Sequence, residues 1–392
     1  MMKLVYKFLI SLMCGISAFA AASCSDSDGP EPAAENKRTV LVYMIADNSL
    51  GDAGLMVDTQ NLSQMLRAAK DGAIKNGRLL VFHDPYGADK APVLMEITAA
   101  GARELKVYDT AASSTDAGFM RSVLDEVASI APAEQNWLVL WSHGTGWVET
   151  SESRGGIQAG PQSFGQDLHP VRREMKVSTL ANALGAGRYD VIYFDCCFMG
   201  CVEALYELRH ASREIVASAT ELPVEGMPYY VNVPAMFADN ASAATLAANT
   251  LDFYLNGENV STRSCTIAVV DTEALDNLAS ATRKVMETGA TAPYSYSGVP
   301  FFRRSGANSR TWDMGHYINS LPVDASLLRQ WNAAYSAAVT YHGATPVSYG
   351  LDMSEFTGIG CYIVRTAADA DVDGYKNQSW WKDVVVHNPS LY

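Results

Sequence analysis

The sequence is short of positive charge and contains no pair of cysteines in the spacing CxxC. Its 392 residues include 29 Lys and Arg against 43 Asp and Glu, so the formal net charge is −14. This balance argues against a nucleic-acid partner, because phosphates attract clustered Lys and Arg. Without a CxxC pair, neither a zinc ribbon nor a thioredoxin-type redox motif is indicated.

The N-terminus has the pattern of an export signal. Lys3 and Lys7 precede the apolar run 8–20, which is too short to span a bilayer and is typical of a secretory signal. Small residues then precede Cys24, as in a bacterial lipobox, where this cysteine becomes the lipid-bearing first residue. Ordinary signal cleavage nearby, which leaves Cys24 free, is the alternative. We predict a signal peptide over 1–23 and a flexible, acidic tether over 24–37.

A lipid on Cys24 would attach the exported protein to a membrane, at the outer membrane or the cell surface. After removal of the leader, and with Cys24 lipidated, the remaining cysteines are Cys196, Cys197, Cys201, Cys265 and Cys361. An odd number of cysteines in an exported protein leaves at least one thiol unpaired. Catalysis is one reason to keep such a thiol.

Buried strands and amphipathic helices alternate along residues 38–235, which predicts a mostly parallel sheet with helices on both faces. Apolar, β-branched runs indicate strands at 39–45, 78–83, 137–142, 189–194 and 214–218. Helical spacing indicates helices at 55–75, 116–130, 177–184 and 199–209. Residues 95–97 and 104–108 indicate a short hairpin. Residues 236–392 give a weaker pattern, with a predicted helix at 325–341 and a predicted strand at 358–364, and we predict a smaller α+β region that packs on the first. The fold class is therefore α/β.

Two of these strands end in reactive side chains. The strand before His143 continues into Gly144, and the strand before Asp195 continues into Cys196 and Cys197. Parallel strands bring their carboxyl ends to one edge of a sheet, which is where ligands bind in α/β folds. An imidazole beside a thiol can take its proton and later protonate a leaving amine. The pair His143 and Cys197 therefore predicts a cysteine nucleophile.

These segments resemble the clostripain family of cysteine peptidases, relatives of caspases and gingipains. The family has a strand that ends in His-Gly and a later strand that ends in Asp-Ala-Cys-Leu-Met; this sequence reads Ser-His-Gly at 142–144 and Asp-Cys-Cys-Phe-Met at 195–199. The opening strand with Ala-Asp-Asn-Ser-Leu at 46–50, and Trp380-Trp381, are also similar. The resemblance implies a caspase-like fold, with Cys197 as nucleophile and His143 as its partner.

The resemblance leaves two alternatives open within the site. Cys196 stands where the family has Ala, so either thiol could attack, although the register favours Cys197 and turns Cys196 to the other face. His83 also lies near the end of a predicted strand and is the competing base. The N–H groups of Gly144 and Cys197 are the candidate oxyanion donors.

Relatives of clostripain cleave after Arg and sometimes Lys, which implies protein or peptide substrates with basic residues. Asp195 matches a family position implicated in the pocket for that side chain; its alternative role is a structural acid that binds loop N–H groups. Glu221 and Glu225, in the loop after the next strand, are candidates for a second pocket acid, and we select Glu225. Solvated loop acids are the alternative reading of both.

Family members often mature by cutting a connection at a basic residue. The connection from His143 to Val177 is rich in Gly, Ser and Gln, so we expect it to be exposed, with candidate cleavage sites at Arg154, Arg172, Arg173 and Lys176. The sequence requires no cofactor and suggests no metal site. Some relatives need calcium, but no EF-hand loop is present, so no ligands are assigned.

Two other functions compete with an exported endopeptidase. A catalytically silent surface lipoprotein that binds peptides or other ligands would not need the intact pair His143 and Cys197. A thiol oxidoreductase is disfavoured by the missing CxxC pair. The leading prediction is thus a His–Cys endopeptidase that cleaves after Arg or Lys and matures by internal self-cleavage.

Overall fold

The computed structural model describes residues 36–148, 163–258, 260–290, 298–302, 311–372 and 374–392. Its strands are β1 (Arg38–Ile45), β2 (Gly77–Asp84), β3 (Val93–Thr98), β4 (Gly101–Val107), β5 (Gln135–Trp141), β6 (Phe164–Asp167), β7 (Arg173–Met175), β8 (Tyr189–Asp195), β9 (Ser212–Ala217), β10 (Thr266–Asp271), β11 (Phe301–Phe302), β12 (Thr311–Asp313), β13 (Val339–Ala344), β14 (Val347–Ser348), β15 (Leu351–Asp352) and β16 (Gly360–Cys361). Among them, β3 and β4 confirm a predicted hairpin.

The helices alternate with the strands in the first half of the chain and predominate in the second. They are α1 (Val57–Lys70), α2 (Ala117–Ile130), α3 (Val177–Leu184), α4 (Val202–Glu207), α5 (Tyr229–Met236), α6 (Ala243–Asn256), α7 (Leu275–Met286), α8 (Met314–Asn319), α9 (Ala325–Ala338) and α10 (Ser379–Asp383).

A nine-stranded sheet forms the centre, in the order β13-β10-β9-β8-β5-β1-β2-β3-β4. The five strands from β9 to β2 are parallel, and the pairs at both flanks are antiparallel. The predicted mostly parallel α/β sheet is thereby confirmed. Two strands from the region after residue 235, β10 and β13, complete one flank of this same sheet.

Both faces of the sheet are buried, as the unbroken apolar sequence of β1 requires. Leu41, Tyr43 and Ile45 point into one core with α2, α3, α4, α7 and α9. Val40, Val42 and Met44, which alternate with them along the strand, point into a second core with α1, α5 and α6. Polar side chains therefore lie at the ends of the strands, where the backbone leaves the sheet.

Three predicted elements differ from the structure. The helix predicted at 199–209 is shorter, because α4 begins only at Val202. The helix predicted from Ala325 to Tyr341 ends at Ala338, and β13 follows at once. The strand predicted at 358–364 is reduced to β16, two residues long.

Candidate active site

His143 and Cys197 follow two neighbouring parallel strands at matching positions. Trp141, the last residue of β5, pairs with Asp195, the last residue of β8. His143 and Cys197 each lie two residues beyond that pair. Adjacent strands are about 4.8 Å apart, so the sheet brings the two segments together at one edge. The predicted shared edge is thus confirmed by the register.

Gly144 packs directly on the backbone of the nucleophile segment. A Cβ at Gly144 would lie 2.6 Å from the carbonyl oxygen of Cys197 and 3.2 Å from the sulfur of Cys196. Gly144 also forms a bridge with Phe164, whose two hydrogen bonds use the N–H groups of Thr145 and of the residue after Phe164. Neither bond uses the Gly144 N–H, which is the predicted oxyanion donor.

Cys197 is partly exposed, and its sulfur is 3.7 Å from the carbonyl oxygen of Leu222. The next residue, Phe198, has a left-handed backbone with φ of 61°, an uncommon conformation for a bulky side chain. The chain therefore turns sharply after the nucleophile. Since α4 starts at Val202 and has only six residues, we assign no helix-dipole activation of Cys197.

The two adjacent thiols, Cys196 and Cys197, differ in burial. Cys196 is buried in the core formed by α2, α3 and α4. Burial raises the pKa of the Cys196 thiol well above its usual range, and the neighbouring Cys197 and Asp195 raise this pKa further. Because the thiolate is the reactive form, Cys196 is disfavoured as the nucleophile. Burial also raises the pKa of the thiols of Cys201, Cys265 and Cys361.

Asp195 is buried behind the nucleophile and anchors the loop that follows β9. Its carboxylate accepts hydrogen bonds from the Met227 N–H at 2.8 Å and the Tyr229 hydroxyl at 2.9 Å. Gly226 has φ of +63°, and a Cβ there would come within 2.6 Å of this carboxylate. Burial raises the pKa of Asp195 to about 7, against the effect of both hydrogen bonds. Asp195 therefore anchors this loop through one N–H group and one hydroxyl, as its structural alternative requires, and its part in a substrate pocket stays a prediction.

Glu225 lies in the same loop, one residue before Gly226. Its Oε1 accepts from the Ser261 N–H, and its backbone carbonyl accepts from the side chain of Asn61. Its Oε2 is buried and has no hydrogen-bond partner in the described part of the chain. Glu221 is buried in the same loop.

The predicted processing sites fall in different surroundings. Arg173 is the first residue of β7 and pairs with Asp167 of β6, and Lys176 directly precedes α3. Arg172 forms an ion pair with Glu174 at 3.3 Å. The expectation of a loop throughout the connection is therefore wrong from Phe164 onward, because β6 and β7 form a hairpin there, although Arg173 and Lys176 are exposed as expected. Arg154, like Cys24, lies outside the described residues.

His83 is far from the nucleophile. It belongs to β2, and two strands, β1 and β5, separate β2 from β8. The Nε2 of His83 is 2.8 Å from a carboxylate oxygen of Asp58, on α1. The competing assignment of His83 as the catalytic base is therefore wrong on geometry.

Sequence reasoning missed the side chains that contact His143. The hydroxyl of Ser49 is 3.0 Å from the Nε2 of His143. Asn48, which is fully buried, hydrogen-bonds the hydroxyl of Ser142 at 3.3 Å. The signal was the strand-end position of Asn48 and Ser49, at the same sheet edge as His143.

No group of three or more His, Cys, Asp or Glu side chains in the described ranges could hold a metal ion. No calcium ligands are therefore assigned. The search for membrane spans, over the same ranges, found no helix long and apolar enough to cross a bilayer.

The sheet order, the paired strand ends and the partly exposed thiol define the class of protein: a cysteine peptidase with a caspase-like fold. The family comparison gives the assignment. The profile of the clostripain family, peptidase C11, matches residues 42–335, and the chain belongs to this family.

Solved structures of related proteins cover nearly the whole chain. A secreted C11 cysteine protease from Bacteroides thetaiotaomicron, in complex with an irreversible peptide inhibitor, is 27% identical with a TM-score of 0.75, over 89% of this chain and 98% of that one. An inactive zymogen C11 protease from Parabacteroides distasonis is 26% identical with a TM-score of 0.74, over 90% and 99%. A search of curated proteins gave no match.

Proposed function

We propose that this peptidase is an endopeptidase that uses Cys197 as nucleophile and His143 as general base. The observation that carries the proposal is the register of β5 and β8, which ends both strands together and leaves His143 and Cys197 at equivalent positions. The tight contact of Gly144 with the Cys197 carbonyl fixes the two segments against each other.

The reaction follows from these groups. His143 takes the proton of the Cys197 thiol, and the thiolate attacks the carbonyl carbon of the scissile peptide. The N–H groups of Gly144 and Cys197 stabilise the oxyanion. When the tetrahedral intermediate collapses, the C–N bond breaks and His143 gives its proton to the leaving amine. Water then hydrolyses the thioester and restores the thiol.

Cleavage after Arg or Lys is the second part of the proposal. Glu225 Oε2, buried and without a hydrogen-bond donor among the described residues, supports it, because an unpaired buried carboxylate favours a cation. Asp195 lies behind it and adds negative charge when ionised. Preference for a basic side chain thus follows from Glu225, in the loop after β9, and from Asp195, at the end of β8, which binds that loop.

Maturation by self-cleavage is the third part. Thr145 and Ser163, on the two sides of the segment 149–162, form two hydrogen bonds of 2.9 Å, the N–H of each donating to the other residue. The His143 carbonyl accepts from the N–H of Gly165 at 3.0 Å. Ser163, the first described residue after Arg154, is therefore held beside the strand end that carries His143. The zymogen relative agrees with a precursor form.

Export and lipid attachment at Cys24 are the fourth part, carried by the leader and the lipobox-like residues 21–24. The mature protein would then act at the outer membrane or the cell surface. Cys24→Ala should yield a soluble form or an unprocessed precursor, and detergent phase separation checks this.

A fluorogenic Arg-amide substrate tests the dyad. Cys197→Ala and His143→Ala should each lose activity by about 10² to 10⁴-fold or more, because each removes a reacting group. Cys196→Ala is the matched control and should keep most activity. Full activity of Cys197→Ala would disprove the assignment, and inactivity of the wild type on all peptides would favour a silent binding protein.

A further inference from the structure

The hydroxyl of Ser49 faces the imidazole of His143 from a loop of a different strand. Ser49 follows β1, which pairs with β5 on the side opposite β8. Its Oγ is 3.0 Å from the Nε2 of His143, and Ser49 is itself exposed at the sheet edge. His143 is thus flanked by the nucleophile segment on one side and by this loop on the other.

The loop that carries Ser49 is held rigidly by its neighbour. Asn48 is fully buried, and its Oδ1 accepts from the N–H of Leu50 at 2.9 Å. The side-chain amide of Asn48 donates to the carbonyls of Ile45 and Gln166 and contacts the Ser142 hydroxyl. Ser49 therefore lies between two residues whose positions are fixed, and one of the contacts reaches the residue before His143.

Two carboxylates of the described chain on either side of Ser49, Asp47 and Asp58, bind other groups. Asp47 accepts from the Gly87 N–H at 3.0 Å and is 2.8 Å from the Nδ1 of His169. Asp58 pairs with His83. Ser49 presents a neutral hydroxyl to the Nε2 of His143, and this hydroxyl can accept a hydrogen bond from Nε2–H but cannot act as a base here.

The two nitrogens of an imidazole have different tasks, and the partner of one decides the state of the other. When the Ser49 hydroxyl accepts from Nε2–H, the lone pair of the neutral ring is on Nδ1. We propose that Ser49 is a positioning residue that holds His143 in this tautomer, with Nδ1 directed at Cys197. This inference rests on the proposed dyad.

The proton balance is simple. The proton of the Cys197 thiol moves to Nδ1 of His143, and from there to the leaving amine. Nε2 keeps its hydrogen throughout, and the Ser49 hydroxyl neither gains nor loses a proton. The hydrogen bond to Ser49 strengthens when the ring becomes cationic, because charged donors make stronger hydrogen bonds.

Ser49→Ala tests the proposal with the Arg-amide substrate. We expect kcat to fall about 10- to 100-fold, the usual effect of removing a hydrogen bond to a charged group, with KM within twofold. Ser49→Thr should restore most of kcat, since it keeps the hydroxyl. Ser63→Ala is the control: Ser63 is an exposed serine on α1 that bonds only the Thr59 carbonyl among described partners.

The pH profile separates positioning from a merely structural effect. Without Ser49 the cationic ring loses an acceptor, so His143 stays neutral to lower pH and the acidic limb of kcat should move to lower pH, while thermal unfolding stays unchanged. An unchanged kcat, a raised KM alone, or failure of Ser49→Thr to rescue would each overturn the proposal. His143→Ala and Cys197→Ala, measured in parallel, report on the dyad independently: inactive dyad variants beside a fully active Ser49→Ala refute only the positioning role.

Discussion

The α-carbon of Gly144 lies against the carbonyl oxygen of Cys197, so close that a Cβ on Gly144 would be 2.6 Å from that oxygen. The residue after the proposed base and the proposed nucleophile are therefore in backbone contact. The contact needs a residue without a side chain.

Gly144→Ala should damage both activity and stability. The added methyl meets backbone, which cannot rotate away, so we expect a loss of about 1–3 kcal/mol in the free energy of unfolding and a fall in kcat/KM of at least tenfold. Thermal unfolding and steady-state kinetics measure the two effects. Gly118→Ala, in the first turn of α2, is the control, because its Cβ would approach only the flexible carboxylate of Asp116.

The reactive strand ends were predictable from the sequence because apolar strands and their order dictate a parallel sheet. The start of α4 was not. Residues 199–201 have helical spacing, but the Gly200 N–H donates to the Ser218 carbonyl at 2.7 Å, and the Gly200 carbonyl accepts from the Gly360 N–H at 2.8 Å. These long-range bonds replace helical ones, and no local pattern reveals them.

For the candidate pocket acids, too, the sequence predicts the position but not the contacts. Sequence placed Asp195 beside the nucleophile, and the structure adds that Tyr229 and Met227 bind it. That contact depends on the loop after β9 folding back, with a left-handed Gly226. Likewise, the end of α9 at Ala338 follows from the pairing of Val339 with Val270, which the helical spacing of 325–341 conceals.

Binding of an Arg side chain should depend on pH through Asp195. Burial raises the pKa of Asp195 to about 7, so the carboxylate is neutralised as pH falls through this value. Since a cation prefers the charged form, the Kd of an Arg peptide for the Cys197→Ala protein should rise between pH 8 and pH 6. Calorimetry in buffers of different ionisation enthalpy should detect proton release near pH 7.

Asp195→Asn is the matched variant for this measurement. It should bind the peptide more weakly at pH 8 and show a flat Kd over the same range. A wild-type-like pH dependence in Asp195→Asn would assign the titration to another group.

Glu225→Gln should reduce selectivity for basic side chains. The variant removes the charge of the buried, unpartnered Oε2, so kcat/KM on Arg substrates should fall about 10- to 100-fold, while a norleucine substrate changes little. Glu287→Gln, which breaks only the exposed pair with Arg283, is the control and should change neither rate. Equal cleavage of Arg and norleucine substrates by the wild type would contradict the acidic pocket.

Glu203, which lies away from the site, should make the stability of the protein depend on pH. It is fully buried on α4, and its Oε1 accepts from the Tyr362 N–H at 2.7 Å. Burial raises the pKa of Glu203 to about 7. The folded chain therefore holds a proton that the unfolded chain releases above about pH 4.3, so Glu203 lowers stability as pH rises from about 4.3 to 7, by up to about 4 kcal/mol.

Glu203→Gln removes this titration while it keeps an oxygen for Tyr362. The variant should therefore gain in midpoint temperature relative to the wild type at pH 8 and lose that gain at pH 5. Thermal unfolding at the two pH values gives the comparison. A midpoint difference that is the same at both pH values would show that Glu203 does not titrate between them.

Self-cleavage should occur after Arg154 and not within the β6–β7 hairpin. Arg173 is paired in β7, and a peptide bond must be extended and accessible to enter a protease site, so cutting there would first require separation of the hairpin. Ser163, the first described residue after Arg154, is hydrogen-bonded to Thr145, two residues after His143. Wild-type protein should therefore show a new N-terminus at Gly155 by sequencing and intact mass.

Cys197→Ala and Arg154→Gln should remain single chains, and Arg173→Gln should be cut normally. A new N-terminus at Glu174 or Val177, or a cut Cys197→Ala chain from a host without related proteases, would contradict this order of events.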